Sequence, residues 1–168
     1  MELVLSPTGT VAAAEKLAEE GRARAAFDEL APLREAIVNG GTIPFVKRAR
    51  IVVARAIVRS DGELEVYRDW AETEKRRKAR EANKEGADTT RVANLRDAVA
   101  VFREAAKEKP DDPSVQTDLA EALAAIPGEE GEAKRILEGL EAKSLVSSAW
   151  GYAALARLRT LSPSGEPK

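Results

Sequence analysis

Three arginines with helical spacing are the first candidates for binding chemistry in this sequence. Between Lys47 and Arg59 the chain carries five basic residues and no acidic one. On a helical wheel Arg48, Arg55 and Arg59 fall on one side, away from the apolar residues of the same segment. Arginines aligned in this way can hold an acidic segment of a partner, a phosphate group or a nucleic acid backbone. The alternative is an ordinary solvated helix face, along which the arginine stems lie with their charged ends in water.

A second basic run, KRRKAR, covers residues 75–80. Such a run can bind nucleic acid or serve as a targeting signal. Acidic residues flank it on both sides, no aromatic residue is interleaved for stacking on bases, and the formal charge of the whole chain is −2. These features favour a solvated charged helix. Polyanion or nucleic-acid binding through residues 47–80 is therefore the alternative function and not the principal prediction.

Catalytic and metal chemistry is restricted by two missing residue types. The chain contains no cysteine and no histidine, which excludes disulfides, thiolate chemistry, the usual zinc sites and Ser-His-Asp arrangements. Catalysis would have to rest on Asp, Glu, Lys or Tyr, and we find no pairing of these that a solvated helix face does not explain equally well. We expect no enzymatic activity, no catalytic residues, no metal ligands and no cofactor.

The composition predicts an all-α protein. The 168 residues are 43% apolar and 33% charged, but only 4% aromatic, so the core must be built from Ala, Leu, Val and Ile. Alanine is the best helix former, and proline and glycine cluster at a few points between long uninterrupted stretches. No segment alternates apolar and polar residues over a useful strand length.

Nothing in the sequence predicts membrane insertion or export. The first ten residues lack the basic start and apolar core of a signal peptide. The longest apolar stretch, Ile51 to Val58, is eight residues long and contains Arg55, so it is too short to cross a bilayer. We therefore expect a cytoplasmic protein.

Periodicity and the positions of proline and glycine predict eight helices. Pro32 is expected to kink or break the second helix, and Asp112 followed by Pro113 is expected to start the sixth. The predicted ranges are 10–20, 22–39, 43–59, 64–85, 88–109, 112–126, 130–143 and 147–161.

A highly charged segment predicts a boundary near the middle of the chain. From Glu72 to Glu85 ten of the fourteen residues are charged. Residues 47–86 carry 12 basic and 8 acidic groups, whereas the segments before and after them are acidic. We predict one helical domain over residues 1–161 with a possible division near residues 72–88, followed by a disordered tail at 162–168.

Small and large apolar residues recur at fixed offsets in the second half of the chain. The small residues allow two helix backbones to cross closely, and the large ones fill the space beside each crossing. A proline then ends the helix and fixes the turn into the next unit. The pattern resembles the tetratricopeptide repeat (TPR) family over residues 95–140, more loosely over 10–38, and it is lost over 41–90. The residues that carry it are Ala98, Phe102, Ala105 and Pro110, then Leu119, Ala120 and Leu123, then Ala133, Leu137 and Leu140.

The resemblance implies a short right-handed solenoid of about eight helices in antiparallel pairs, with a plain helical bundle as the alternative. The family implies an adaptor, scaffold or chaperone-like protein that binds a peptide or helix of another protein. In that family the first helix of each pair lines the groove, so Ser114, Thr117 and Glu121 are expected to be exposed partner-binding residues, beside Arg48 and its two companions. A second copy of the chain is a further possible partner.

Overall fold

The computed structural model of the chain describes residues 6–39, 43–62 and 87–161, with side chains from residue 91 onward in the last range. Every regular element in these ranges is a helix, which confirms the predicted all-α class. None of the helices in these ranges is long and apolar enough to cross a membrane. The helices are α1 (Pro7–Glu19), α2 (Ala23–Glu29), α3 (Arg34–Asn39), α4 (Pro44–Arg59), α5 (Ala87–Glu108), α6 (Pro113–Ala124), α7 (Glu130–Ala142) and α8 (Ala149–Leu161).

Contacts within the chain group it into two compact units, Met1–Asn94 and Leu95–Lys168. The predicted helix over residues 64–85, the division near 72–88 and the tail 162–168 lie wholly or largely outside the described residues, and they stay predictions.

The first helix begins three residues earlier than the sequence predicts. Ser6 is its N-cap, and the Ser6 Oγ accepts a hydrogen bond from the Gly9 backbone N–H at 3.2 Å. Pro7 occupies the first helical position, where its missing N–H costs nothing. The chain leaves α1 through Gly21, whose φ of 77° lies in the left-handed region that favours glycine.

The predicted break at Pro32 is confirmed. Helix α2 ends at Glu29, a 3₁₀ helix covers Ala31–Leu33, and α3 then begins at Arg34. Proline has no N–H to donate, and its ring clashes with the carbonyl one turn before it, so the α-helical ladder cannot continue through it.

The core of the first unit lies between α1, α2 and α4. Among the described residues it is built on alanine and valine, and the one buried aromatic ring there is that of Phe27. Small side chains allow the helix backbones to approach closely, and burying each apolar side chain contributes roughly 1–3 kcal/mol. The residues with no exposed surface are Val11, Ala14, Ala18, Ala26, Leu30, Ala49, Val52 and Ala56.

The second unit is an antiparallel hairpin of α6 and α7 on which α8 packs. Helix α6 begins as predicted, with Asp112 as N-cap and Pro113 at its first position. The hairpin turn contains Gly128 with a φ of 91°. Ion pairs of Arg96 with Glu129 and of Arg103 with Glu132 join α5 to the start of α7. The largest fully buried side chains here are Leu95, Phe102, Leu123, Ile126, Leu137, Leu155 and Leu158.

Candidate functional site

The predicted arginine face of α4 is directed toward α1. Arg48 Nε donates to Glu15 Oε2 at 3.1 Å, and Arg55 Nη1 donates to Glu15 Oε1 at 3.4 Å. The structure therefore brings two of the three arginines together on one carboxylate. The Arg55 side chain is only 15% exposed, so it has no solvated face along which a phosphate could approach.

The third arginine, Arg59, binds the C-terminal end of α1. Arg59 Nη1 donates to the carbonyl oxygen of Ala18 at 2.8 Å. Carbonyl groups in the last turn of a helix lack intrahelical donors, and a cation there interacts favourably with the helix dipole. All three arginines thus attach α4 to α1. That they also hold a partner stays a prediction.

The expected exposure of Thr117 and Glu121 is wrong. Thr117 is fully buried and Glu121 is only 6% exposed. The reason is the segment leading into α8, which covers this side of α6. The Ser147 N–H donates to Thr117 Oγ1 at 3.2 Å, and Ser148 Oγ donates to Glu121 Oε1 at 2.7 Å. We call these four residues the polar seam.

A glycine allows the polar seam to close. A Cβ atom added at Gly151 would lie 2.5 Å from Thr117 Cγ2 and 2.9 Å from Val146 Cγ1. Both distances are shorter than van der Waals contact, so the first turn of α8 can lie this close to α6 only without a side chain. The face of α6 that the family resemblance implied as a groove is thus an internal contact of the unit.

Ser114 stabilises the start of α6. Its backbone N–H and its Oγ both donate to Asp112 Oδ1, at 2.9 and 2.7 Å. These bonds, the side-chain one first, lower the pKa of Asp112 below its usual value because they stabilise the ionised carboxylate. Ser114 is half-buried, and its polar atoms are used in helix capping.

A cleft of about 570 Å³ lies between α6 and α7 and reaches the turns at one end of them. Its apolar lining comes from Leu119 on α6, Ile136 and Leu140 on α7, and Leu145 after α7. Leu119 is buried, but Ile136 and Leu140 are only partly covered and Leu145 is 41% exposed. No described side chain covers this apolar surface, so its burial by another molecule would be favourable.

Charged groups surround the apolar lining. Glu132 is held by Arg103, whose Nη2 lies 3.0 Å from Glu132 Oε2. Arg135 and Lys143, one at each side of Leu140 along α7, form no ion pair within the described ranges, and neither does Asp111 at the loop before α6. The charges left without a partner at the cleft thus sum to one positive charge.

A second glycine lies at the cleft and has open space around it. Gly139 is in the middle of α7, and a Cβ atom added there would meet nothing within 4 Å. Glycine inside a helix costs roughly 1 kcal/mol relative to alanine. No internal contact among the described residues requires this glycine, and it leaves the α7 backbone bare between Ile136 and Leu140.

The cleft was not predicted from the sequence, because the groove was expected on the opposite face of α6. The available signal was Gly139, a glycine inside an otherwise regular amphipathic segment, flanked by apolar residues three before it and one after it. A glycine at such a position indicates either a close internal packing contact or a place where another molecule approaches the backbone.

The described residues contain no group of three acidic side chains placed to hold a metal ion. No family model matches this chain, no curated protein is significantly similar to it, and no solved structure resembles it significantly.

Proposed function

We propose that this protein is a non-catalytic protein–protein interaction module with TPR-like stacking of its helix pairs. Its site is the cleft between α6 and α7, where it binds a peptide or helix segment of a partner protein. The observation that carries the proposal is the partly uncovered apolar lining of Ile136, Leu140 and Leu145 in a cleft of about 570 Å³.

The chemistry of the lining supports binding in preference to catalysis. A catalytic site needs titratable groups that converge on one reacting atom, with at least one held away from water. Here Glu132 is engaged by Arg103, while the side chains of Arg135 and Lys143 stand about two turns of α7 apart. The cleft therefore offers apolar area with charges at its margin, which is the usual composition of a protein-binding groove.

Burial at the repeat positions supports the TPR-like part of the proposal. Ala98 and Ala133 are fully buried, and so, to within 1%, are the large residues four positions after them, Phe102 and Leu137. Stacked helix pairs require small residues where two helices cross closely and large residues that fill the space beside the crossing. The proposed groove differs from the one that the family implies, because the polar seam closes that face.

Selection of binding peptides tests the proposal without knowledge of the natural partner. A phage-displayed library of random sixteen-residue peptides is panned on the full chain, and selected peptides are measured by fluorescence anisotropy. We expect peptides whose affinity falls at least about tenfold on the Leu145→Asp variant, because a charge in an apolar contact must be desolvated.

Val38 provides the matched control. It is 45% exposed, close to the 41% of Leu145, and it lies in the other unit. The Val38→Asp variant should bind the same peptides as the original chain does. Selected peptides that bind Leu145→Asp and Ile136→Asp as tightly as Val38→Asp would show that the cleft is not the binding site. Circular dichroism melts of each variant establish that it is folded.

A further inference from the structure

We propose that the occupant of the cleft is an acidic amphipathic helix of another protein, which lays its apolar face along α7 across Gly139 and places a carboxylate beside Arg135. This inference rests on the proposed function and specifies the chemical class of the partner. Four properties of the cleft support it: its supply of hydrogen-bonding groups, its length, its charge and its bare backbone.

Hydrogen bonding favours a helix over an extended peptide. An extended segment brings unpaired backbone N–H and C=O groups, which need partners when they leave water. Helices α6 and α7 use their own backbone groups internally, and the amide nitrogen of Gln116, a polar side chain of the cleft, already donates to the Pro110 carbonyl at 3.0 Å. A helix satisfies its own backbone and needs only an apolar face to fit such a groove.

The length of the cleft matches a helix of about three turns. Its lining along α7 extends from Glu132 to the C-cap residue Lys143, eleven residues further on, or about 16 Å at 1.5 Å per residue. Over that distance an amphipathic helix presents apolar side chains at three or four successive positions of one face. Ile136, Leu140 and Leu145 supply a matching set of contacts on the protein side.

The charge at the cleft selects an acidic partner. Arg135 and Lys143 have no ion pair among the described residues, whereas Glu132 is neutralised by Arg103. Asp111 and Lys143 both line the end of the cleft where α6 begins and α7 ends, and their formal charges cancel, so the remaining net charge equals the one positive charge of Arg135. Charged groups at the edge of a binding site contribute more to the choice between partners than to affinity.

The bare backbone at Gly139 gives the occupant room to approach. With no side chain at this position, a neighbouring helix can lie against α7 at a shorter distance than alanine would permit. Its apolar side chains then reach Ile136 and Leu140 on either side of the glycine.

Three synthetic peptides test the class of partner. Each is a sixteen-residue helical peptide with leucines on one face, blocked at both ends, and the positions beside the leucines are glutamate in one peptide, glutamine in the second and lysine in the third. Titrated into the full chain, the glutamate peptide should bind about tenfold or more tightly than the lysine peptide, with the glutamine peptide between them.

Reversal of one charge sharpens this test. Arg135→Glu should abolish or invert the order of the three peptides. Arg157→Glu is the matched control, because Arg157 is an exposed residue of α8 with no ion pair in the described ranges and its replacement changes the net charge equally. That variant should keep the order. An order that is unchanged in Arg135→Glu, or lost equally in both variants, would overturn the proposed carboxylate contact.

Two glycine variants test the close approach. Gly139→Ala should weaken binding of the glutamate peptide about tenfold, because the methyl group fills space that the bound helix needs. The same variant should have a higher melting temperature, because alanine favours the helix more than glycine does. Gly131→Ala, which adds a methyl group to open space in the first turn of the same helix outside the cleft, should leave binding unchanged. Equal binding by both glycine variants would refute the close approach.

The outcomes separate this inference from the proposed function. One contrary result is a set of library peptides that lose affinity on Leu145→Asp and yet are enriched in basic residues. Another is a lysine peptide that binds as tightly as the glutamate peptide. Either result would refute the acidic helix and retain the cleft as the binding site. If no peptide from the library depends on Leu145 or Ile136, the cleft itself is wrong.

Discussion

A helical glycine lies at each face of the α6–α7 hairpin, and the two differ in their surroundings: Gly151 of α8 packs against one face, and Gly139 of α7 lies on the other. At Gly151 an added Cβ would lie 2.5 Å from Thr117 Cγ2. At Gly139 it would meet nothing within 4 Å. The first glycine is explained by packing within the unit, since α8 could not otherwise lie on α6. The second lowers helix stability, and no contact with the described part of the chain requires it.

The same contrast holds for the polar and apolar groups of the two faces. On the closed face, buried polar groups are matched: Thr117 accepts from the Ser147 N–H, and Glu121 accepts from Ser148. On the open face, Leu145 remains 41% exposed and Arg135 has no ion pair within the described residues. Among the described residues, folding thus pairs the polar groups of one face, whereas the other face keeps the exposed apolar side chain and the unpaired charge on which the proposed binding rests.

The largest expected effect is on the closed face, from Gly151→Ala. The added methyl group must displace Thr117 Cγ2, and Thr117 cannot rotate without losing its bonds to the Pro113 carbonyl and the Ser147 N–H. Overpacking of this kind costs about 1–3 kcal/mol, so we expect the free energy of unfolding to fall by about 2 kcal/mol in urea titrations.

The double variant Gly151→Ala with Thr117→Ser provides the internal check. Serine keeps the hydroxyl group but lacks the Cγ2 atom, so part of the lost stability should return, with Val146 responsible for the remainder. Stability losses that simply add in the double variant would show that the closed face is not held by this contact.

A somewhat smaller loss is expected from Ser148→Ala. The Ser148 hydroxyl donates to the buried Glu121 carboxylate and accepts from the Gly151 N–H in the first turn of α8. Without this hydroxyl, the Glu121 carboxylate loses one hydrogen-bond donor and the start of α8 loses its cap. We expect the free energy of unfolding to fall by about 1.5 kcal/mol. The neighbouring Ser147→Ala is the control, because Ser147 joins the polar seam through its backbone only and should lose under about 0.5 kcal/mol. Similar losses in both variants would contradict this account.

A third, smaller effect concerns Asp112, which caps the helix that both faces share. Asp112→Ala should cost about 1 kcal/mol through loss of the cap. Because the folded pKa of Asp112 lies below its usual value of 3.8, the carboxylate contributes stability that is complete above pH 3.8 and is lost as the pH falls through the folded pKa. Asp112→Asn keeps a capping oxygen but does not titrate, so its unfolding free energy should depend less on pH in acid than that of the original chain.

Local signals in the sequence were sufficient for the helices and for much of the core. Pro32 breaks α2 from α3, and Asp112 with Pro113 begins α6, because each acts through its own backbone geometry or an adjacent N–H. The start of α1 was misplaced because Ser6 was not recognised as a cap. Such errors are small and concern only residues that are close along the chain.

The placement of the functional faces depends on distant residues and could not be read in the same way. The arginine face of α4 was identified, but its partner Glu15 lies 33 residues before Arg48. Thr117 and Glu121 have the spacing of exposed residues on an isolated α6, and only the return of Ser147 and Ser148 buries them. A helical wheel shows which residues share a face, but not which later segment of the chain covers it.

The smallest expected effect is on the open face, and it has the opposite sign. Gly139→Ala should raise the free energy of unfolding by about 0.5–1 kcal/mol, because alanine loses less backbone entropy in a helix and its methyl group enters open space. Urea titration of this variant beside Gly151→Ala measures the two faces on one scale: the same chemical change should stabilise one side of the hairpin and destabilise the other. If Gly139→Ala instead destabilised the chain, the backbone at this position would be packed against part of the molecule itself, and the difference between the two faces would disappear. If it stabilises the chain, the glycine weakens the fold by an amount that a single substitution removes, as the proposed close approach of a partner helix requires.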